Sequence, residues 1–148
     1  MRFMVMVRLS GTSAADYEAG ALPAADDIAE MMKFNEEMAN AGIMVAGDGL
    51  QPTSKGARVE FRDGKALVTD GPFAETKELY GGYWVWEVDS KQDAIEWASR
   101  CPMSEGAVLE LRQIFEMEDF GPEIVVQEAE RVEVIEKAVK AHQKQPTA

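Results

Sequence analysis

The sequence predicts an α+β domain built on one antiparallel sheet with two helices on a single face. Three observations carry this. Alternating apolar patterns recur at 2–9, 43–46, 58–68, 80–88 and 107–115, the mark of strands. Helical periodicity fills 23–41 and 90–101 between them, and a third amphipathic stretch follows at 122–143. The resulting order of strand, helix, strand, hairpin, strand, helix, strand is two strand–helix–strand units with a hairpin set between them. With 148 residues, 46% of them apolar, the chain has the material for one ordinary core.

Residues 2–9 alternate between Phe3, Val5, Val7 and Leu9 on one face and Arg2, Met4, Met6 and Arg8 on the other. Both faces are largely apolar, so both are expected to be covered. Residues 10–22 are small and polar and read as a loop, and Pro23 suits the start of the helix after it. Asp26 and Asp27 complement the helix dipole in its first turn. Ile28, Met31, Met32, Met38 and Ala39 form its apolar stripe, and Gly42 ends it near Ala41. A short strand, 43–46, then gives way to the loop Gly47-Asp48-Gly49-Leu50-Gln51-Pro52.

The sharpest local signal is Asp63-Gly64, which favours a two-residue type I′ turn. It sets Arg62 opposite Lys65, Phe61 opposite Ala66 and Val59 opposite Val68. Val59, Phe61, Ala66 and Val68 then share one face, with Arg58, Glu60, Arg62 and Lys65 on the other, so turn chemistry and hydrophobic pattern agree. The second strand runs into Asp70-Gly71-Pro72-Phe73, where Pro72 lacks a backbone N–H and Gly71 admits unusual backbone angles. The chain must turn there and stay irregular to about Leu79, carrying Phe73, Glu75, Lys77 and Glu78. Loops of this kind are where recognition or chemistry is placed.

Residues 80–88 set Trp84 and Trp86 on one face and Tyr83 and Val85 on the other. Ser90 to Asp93 resembles a capping box, and Ala94, Ile95, Trp97, Ala98 and Cys101 line the helix that ends at Pro102. The last strand carries Leu109 and Leu111 on one face and Glu110, Arg112 and Ile114 on the other. The helix at 122–143 has Val125, Ala129, Val132, Ile135 and Val139 along one side, with Glu133/Lys137 and Glu136/Lys140 as solvent pairs. The expected organisation is a ferredoxin-like domain at 1–116, with a linker and C-terminal amphipathic helix at 117–148. That helix either packs on its own domain or clasps a partner subunit.

The sheet's second face, expected to carry Met4, Met6, Arg8, Arg112, Ile114, Trp84 and Trp86, holds too much apolar surface for water. A two-fold homodimer with sheets facing each other, and cavities near the intervening loops, would cover it. Fifteen Lys and Arg against twenty-seven Asp and Glu give a net charge of −12, which argues against nucleic acid and anionic membranes as partners. No apolar run approaches the ~20 residues of a membrane span, and the N-terminus lacks the organisation of a secretory signal, so a cytoplasmic location is expected. The one cysteine, Cys101, reads as buried filler. The one histidine, His142, reads as a solvated helix end. Together they leave no zinc site of the usual kind, and no spaced carboxylate cluster supports magnesium, so neither metal nor cofactor is expected.

The run Val68 to Glu78, together with Asp48-Gly49-Leu50 and Pro52, Asp63-Gly64, Gly81-Gly82-Tyr83, Glu87-Val88 and Glu96-Trp97-Ala98, resembles the YCII-related proteins, and within them the subgroup named for the Asp-Gly-Pro-Phe motif. The resemblance covers roughly 1–115. It implies a dimeric α–β barrel, a fold shared by small enzymes and ligand binders. Some of these proteins carry a His and Asp pair proposed as catalytic; the only histidine here lies beyond the resembling region. The subgroup's genes often neighbour those of extracytoplasmic-function sigma factors, which implies a protein partner linked to such a factor.

Asp70 is the foremost proton-transfer candidate, with an Asx-type turn onto the following backbone as its favoured competing role. Glu75 is the second. Phe73 either plugs the core or stacks on a ligand. Arg8, Arg112 and Lys77 are expected to hold an anion, with Glu110 as the competing ion-pair partner for the arginines. Trp84 is a binding candidate and otherwise interface or core. The function expected is binding or transformation of a small, anionic molecule between sheet face and loop, which leaves enzymatic activity open. The alternative is a regulatory protein-interaction module.

Overall fold

The computed structural model describes residues 1–73 and 78–143. It separates into two units, Met1–Ile114 and Phe115–Ala148. In the first, strands β1 (Arg2–Leu9), β2 (Met44–Gly49), β5 (Leu79–Glu87) and β6 (Val108–Gln113) form one sheet in the order β2-β5-β1-β6, with each neighbouring pair antiparallel. Helices α2 (Ala25–Asn40) and α3 (Lys91–Ser99) connect them. This order, with first and third sheet strands in the centre, is the ferredoxin-like arrangement.

Register decides which residues enter the core. Phe3 lies opposite Trp86 and Val5 opposite Trp84, so both tryptophans share the face of Phe3, Val5 and Val7. There they meet Phe34 and Met38 of α2 and Ala94 of α3. Trp84, like Trp86, was expected on the uncovered face and lies on the other one. Its ring meets Phe34 edge-on at 6.3 Å, and its indole N–H donates to Asn35 Oδ1 at 2.9 Å. The open face carries Met4, Met6, Arg8, Tyr83, Val85, Glu110 and Arg112, as the pairings Met4 with Val85 and Arg112, and Met6 with Tyr83 and Glu110, require.

The α2 stripe is rotated from its expected position: Met31, Phe34 and Met38 face the sheet, while Ile28, Met32 and Ala39 are exposed. Residues 10–22 are not a simple loop, because Gly11–Glu18 forms a short helix, α1, ahead of α2. Its composition has no apolar period, and tertiary contacts hold it. Ser90 caps α3 as expected, its hydroxyl accepting from Asp93 N–H at 3.0 Å.

The hairpin β3 (Ala57–Arg62) and β4 (Lys65–Asp70) has the expected register, from Ala57 opposite Asp70 to Arg62 opposite Lys65. Asp63 and Gly64 take φ of 50° and 71° at its tip, the positive values of a type I′ turn. It forms its own two-stranded sheet, and each of its strand residues is exposed, Phe61 at 85%. The shared apolar face is therefore real, but no described part of the unit covers it.

The second unit holds one 3-10 turn, Met117–Phe120, closed by reciprocal Glu116 and Asp119 hydrogen bonds, and helix α4 (Pro122–Gln143). Phe115 and Phe120 stack within it at 5.2 Å. On α4, Val125 and Val132 are half-buried, whereas Ile135 and Val139 are exposed, and Lys137–Glu133 and Lys140–Glu136 form the expected helical pairs at 2.5 and 3.9 Å.

Candidate functional site: a cavity beside Phe73

The turn after β4 is fastened to the segment before β3. Gly71 N–H donates to Gly56 O at 2.9 Å. A Cβ at Gly71 would lie 1.7 Å from Thr53 O, so no residue but glycine fits. Phe73 N–H donates to Thr53 Oγ1 at 3.2 Å. Thr53 in turn donates through its N–H to Glu18 Oε1 at 2.9 Å, and through its hydroxyl to Glu18 Oε2. One carboxylate at the end of α1 thus anchors the threonine on which the turn rests. These bonds displace the Asx turn expected of Asp70: Pro72 has no N–H to offer, and that of Phe73 is given to Thr53. Asp70 ends β4 with an exposed side chain.

Between this turn, the Leu50–Arg58 segment and the start of β5 lies a cavity of about 500 Å³. Phe73 forms one wall, with the Arg58 guanidinium 3.9 Å above its ring centre. Lys55, Thr53, Glu78 and Tyr80 also line it. The Tyr80 hydroxyl donates to Glu78 Oε2 at 3.1 Å. That bond, partial burial, and the charges of Glu78 and Glu110 raise the phenol's pKa above its ordinary value, against an opposing effect of Arg8. Tyr80 stays protonated at neutral pH. It also links the cavity to the open face, since it pairs with Arg8 across the sheet.

The expected residues are only partly brought together. Phe73 lines the cavity and Arg8 stands beside Tyr80. Arg112 does not converge with them: it lies opposite Met4, four residues along β1 from Arg8, or about 13 Å at strand spacing. Trp84 is on the other side of the sheet, and Asp70 is not part of the cavity's described lining. Glu75 and Lys77 lie outside the described residues. Among the described residues no ion pair joins Glu110 to Arg8 or Arg112. Arg58, Lys55, Thr53, Glu18 and Tyr80 were not singled out from sequence. Arg58 falls on the polar side of the hairpin pattern, and only the return of the turn onto the strand's base shows that it covers an aromatic ring.

Burial raises the Cys101 thiol to about 11, so it is not a nucleophile at neutral pH. The exposed His142 places Nδ1 2.8 Å from Ala138 O within its own helix. Among the described residues no cluster of three His, Cys, Asp or Glu side chains could hold a metal. Among them, too, no helix is long and apolar enough to cross a membrane.

Fold and cavity define a ferredoxin-like α+β domain with a loop-walled pocket at one end of its sheet. The chain belongs to the YCII-related domain family, whose model matches residues 1–118. It is 39% identical over 49 residues to an uncharacterised protein of Rhizobium meliloti (strain 1021), a match spanning 33% of this chain and 40% of that one. Among solved structures it is similar to a 5-chloro-2-hydroxyhydroquinone dehydrochlorinase from Burkholderia phenoliruptrix, solved with 2,5-dihydroxybenzoquinone. That likeness has a TM-score of 0.42 and 11% identity, over 82% of this chain and all of the other.

Proposed function

We propose that this chain, as a member of the Asp-Gly-Pro-Phe subgroup of its family, binds a small anionic molecule in the cavity beside Phe73. The observation that carries the reading is the Arg58 guanidinium over the Phe73 ring, with Lys55 also in the cavity's lining. Two cations against one carboxylate, Glu78, line the described part of a pocket in a chain of net charge −12. A planar carboxylate is the ligand this suits: its ring meets Phe73 and Tyr80 and its charge meets Arg58. Arg8 and Lys77 are the further cations proposed to hold the anion. If the ligand is transformed, Asp70 and Glu75 are the proton-transfer candidates, joined by Glu78 beside its phenol.

The functional unit in this reading is residues 1–116, working in the cytoplasm as a homodimer whose open sheet faces, with Met4, Met6 and Val85, cover one another. The exposed apolar side chains of the hairpin and α4 support a second reading, docking of a protein partner linked to an extracytoplasmic-function sigma factor. Capture of no such partner by the purified chain counts against that second reading.

The test is thermal unfolding with a panel of small carboxylates, benzoate first. At ten times Kd a ligand adds about 1.4 kcal/mol, which for a chain of this size raises Tm by about 3–6 °C. The rise should vanish in Arg58→Ala; a rise of equal size in that variant overturns the assignment.

A further inference from the structure

A second cavity, of about 280 Å³, lies on the helix-covered side of the sheet. Its floor is bare backbone, formed by Gly47 and Gly49 of β2 and Gly81 and Gly82 of β5. Packing demands two of these glycines: a Cβ would come 2.3 Å from Trp84 Cδ1 at Gly47, and 3.0 Å from the Asp48 backbone oxygen at Gly82. Val7, Leu9, Met31 and Met103 supply apolar walls, and Trp84 an aromatic one. Four polar side chains break this surface, and two of them, Tyr83 and Asp48, satisfy each other, the Tyr83 hydroxyl donating to Asp48 Oδ2 at 3.0 Å. Asn35 receives the Trp84 indole N–H on its oxygen, leaving its amide N–H groups for another partner. Tyr17 lines the cavity, and its hydroxyl is buried with no hydrogen-bond partner among the described residues. Burial raises that phenol's pKa, and so does neighbouring Glu18, so it carries its proton and is able to donate it.

Helix α1 has no buried residue of its own, yet it holds Tyr17 at this wall, because the Glu18 carboxylate grips Thr53. A buried hydroxyl left without a partner costs about as much as a lost hydrogen bond, which makes the position informative. Charge sets this cavity apart from the first. Its one charged residue among the described lining is Asp48, and no Lys, Arg or His contributes. Anions are disfavoured here, where the cavity beside Phe73 favours them.

We propose that this second cavity is a separate binding site for a small neutral molecule, one substituted ring or its equivalent in bulk, whose hydroxyl or carbonyl oxygen takes the hydrogen bond of Tyr17. An apolar cavity of about 150 Å³ accommodates benzene, so the space suits one ring with short substituents. The proposal is independent of the anion reading.

The test uses the full chain and two probes of one shape, p-cresol and toluene, followed by ligand-observed NMR and by tryptophan fluorescence in the toluene arm. p-Cresol should bind with Kd of about millimolar or tighter. Tyr17→Phe should weaken it about tenfold while leaving toluene's weaker binding unchanged. Arg58→Ala, which removes the cation of the other cavity, should leave p-cresol binding intact and so separates the two assignments. Three results overturn the proposal: no p-cresol binding at about ten millimolar, meaning the cavity holds only solvent; equal affinity of both probes; or p-cresol affinity unchanged in Tyr17→Phe, whatever Arg58→Ala does. Tyr17→Phe deletes a hydroxyl that has no partner, so the variant should fold as the parent does.

Discussion

Replacing Gly71 with alanine tests whether the Asp-Gly-Pro-Phe turn is docked as described. The new Cβ would lie 1.7 Å from Thr53 O, 2.6 Å from Thr53 C and 3.2 Å from Gly56 O. All three are backbone atoms and cannot swing aside, so the turn must lift from the Leu50–Arg58 segment. Two hydrogen bonds then go, Gly71 N–H to Gly56 O and Phe73 N–H to Thr53, each worth about 0.5–1.5 kcal/mol net. The Arg58–Phe73 contact goes with them, at about 0.5–1 kcal/mol for an accessible pair. The expected loss is about 1.5–4 kcal/mol, read from urea unfolding monitored by tryptophan fluorescence. Gly56 is the control. It faces the same Thr53 carbonyl, but its Cβ would sit at 3.6 Å, an ordinary contact, and its φ of −118° suits any residue. Gly56→Ala should be neutral or stabilising by up to about 1 kcal/mol. If Gly71→Ala were as stable as the parent to within about 0.5 kcal/mol, the docked turn would be refuted.

Asn35→Leu should cost about 1–3 kcal/mol, because the buried Trp84 indole N–H loses its acceptor; unfolding by urea reads it, and an unchanged midpoint would contradict the contact. Phe61→Ser should leave the unfolding free energy within about 0.5 kcal/mol, since Phe61 is 85% exposed and gives the folded chain little. A loss well above 1 kcal/mol would mean the hairpin face is covered. Cys101, held at about 11 against an ordinary 9, should react with iodoacetamide at pH 8 about 100-fold more slowly than a free cysteine. The same shift makes a pH prediction. Unfolding frees the thiol to ionise near its ordinary value, so the unfolded chain holds fewer protons above that value, and this contribution to stability declines as pH rises from about 9 towards 11. Alkylation at the free-cysteine rate in the folded chain would contradict both. Met6→Lys should abolish a dimer built on the open sheet face, as read by sedimentation equilibrium; a dimer that persists would point to another interface.

The strands, the helices α2, α3 and α4, and the hairpin register were legible because each has a local cause: period-two alternation, helical stripes, and the demand of Asp63-Gly64 for positive φ. What could not be read depended on contacts distant in sequence. Alternation says that Trp84 and Trp86 share a face, but only the pairing of Phe3 with Trp86 says which face. Helix α1 carries no apolar period, and the bond from Thr53 to Glu18, 35 residues apart, is what fastens its end. The candidate site divided in the same way. Phe73 stood out because the turn around it breaks the strand pattern. Arg58 did not, since its guanidinium finds the ring of a residue beyond the hairpin. Arg8 and Arg112 share a face as alternation requires, yet strand register separates them along β1, a distance that composition cannot supply.

The most direct test of the central claim is a crystal structure of the full chain with whichever carboxylate raises Tm most. The ligand should lie beside Phe73, its carboxylate within hydrogen-bond reach of Arg58 or Lys55. A ligand bound elsewhere, with Arg58 turned away and the space beside Phe73 filled by protein side chains, would contradict it.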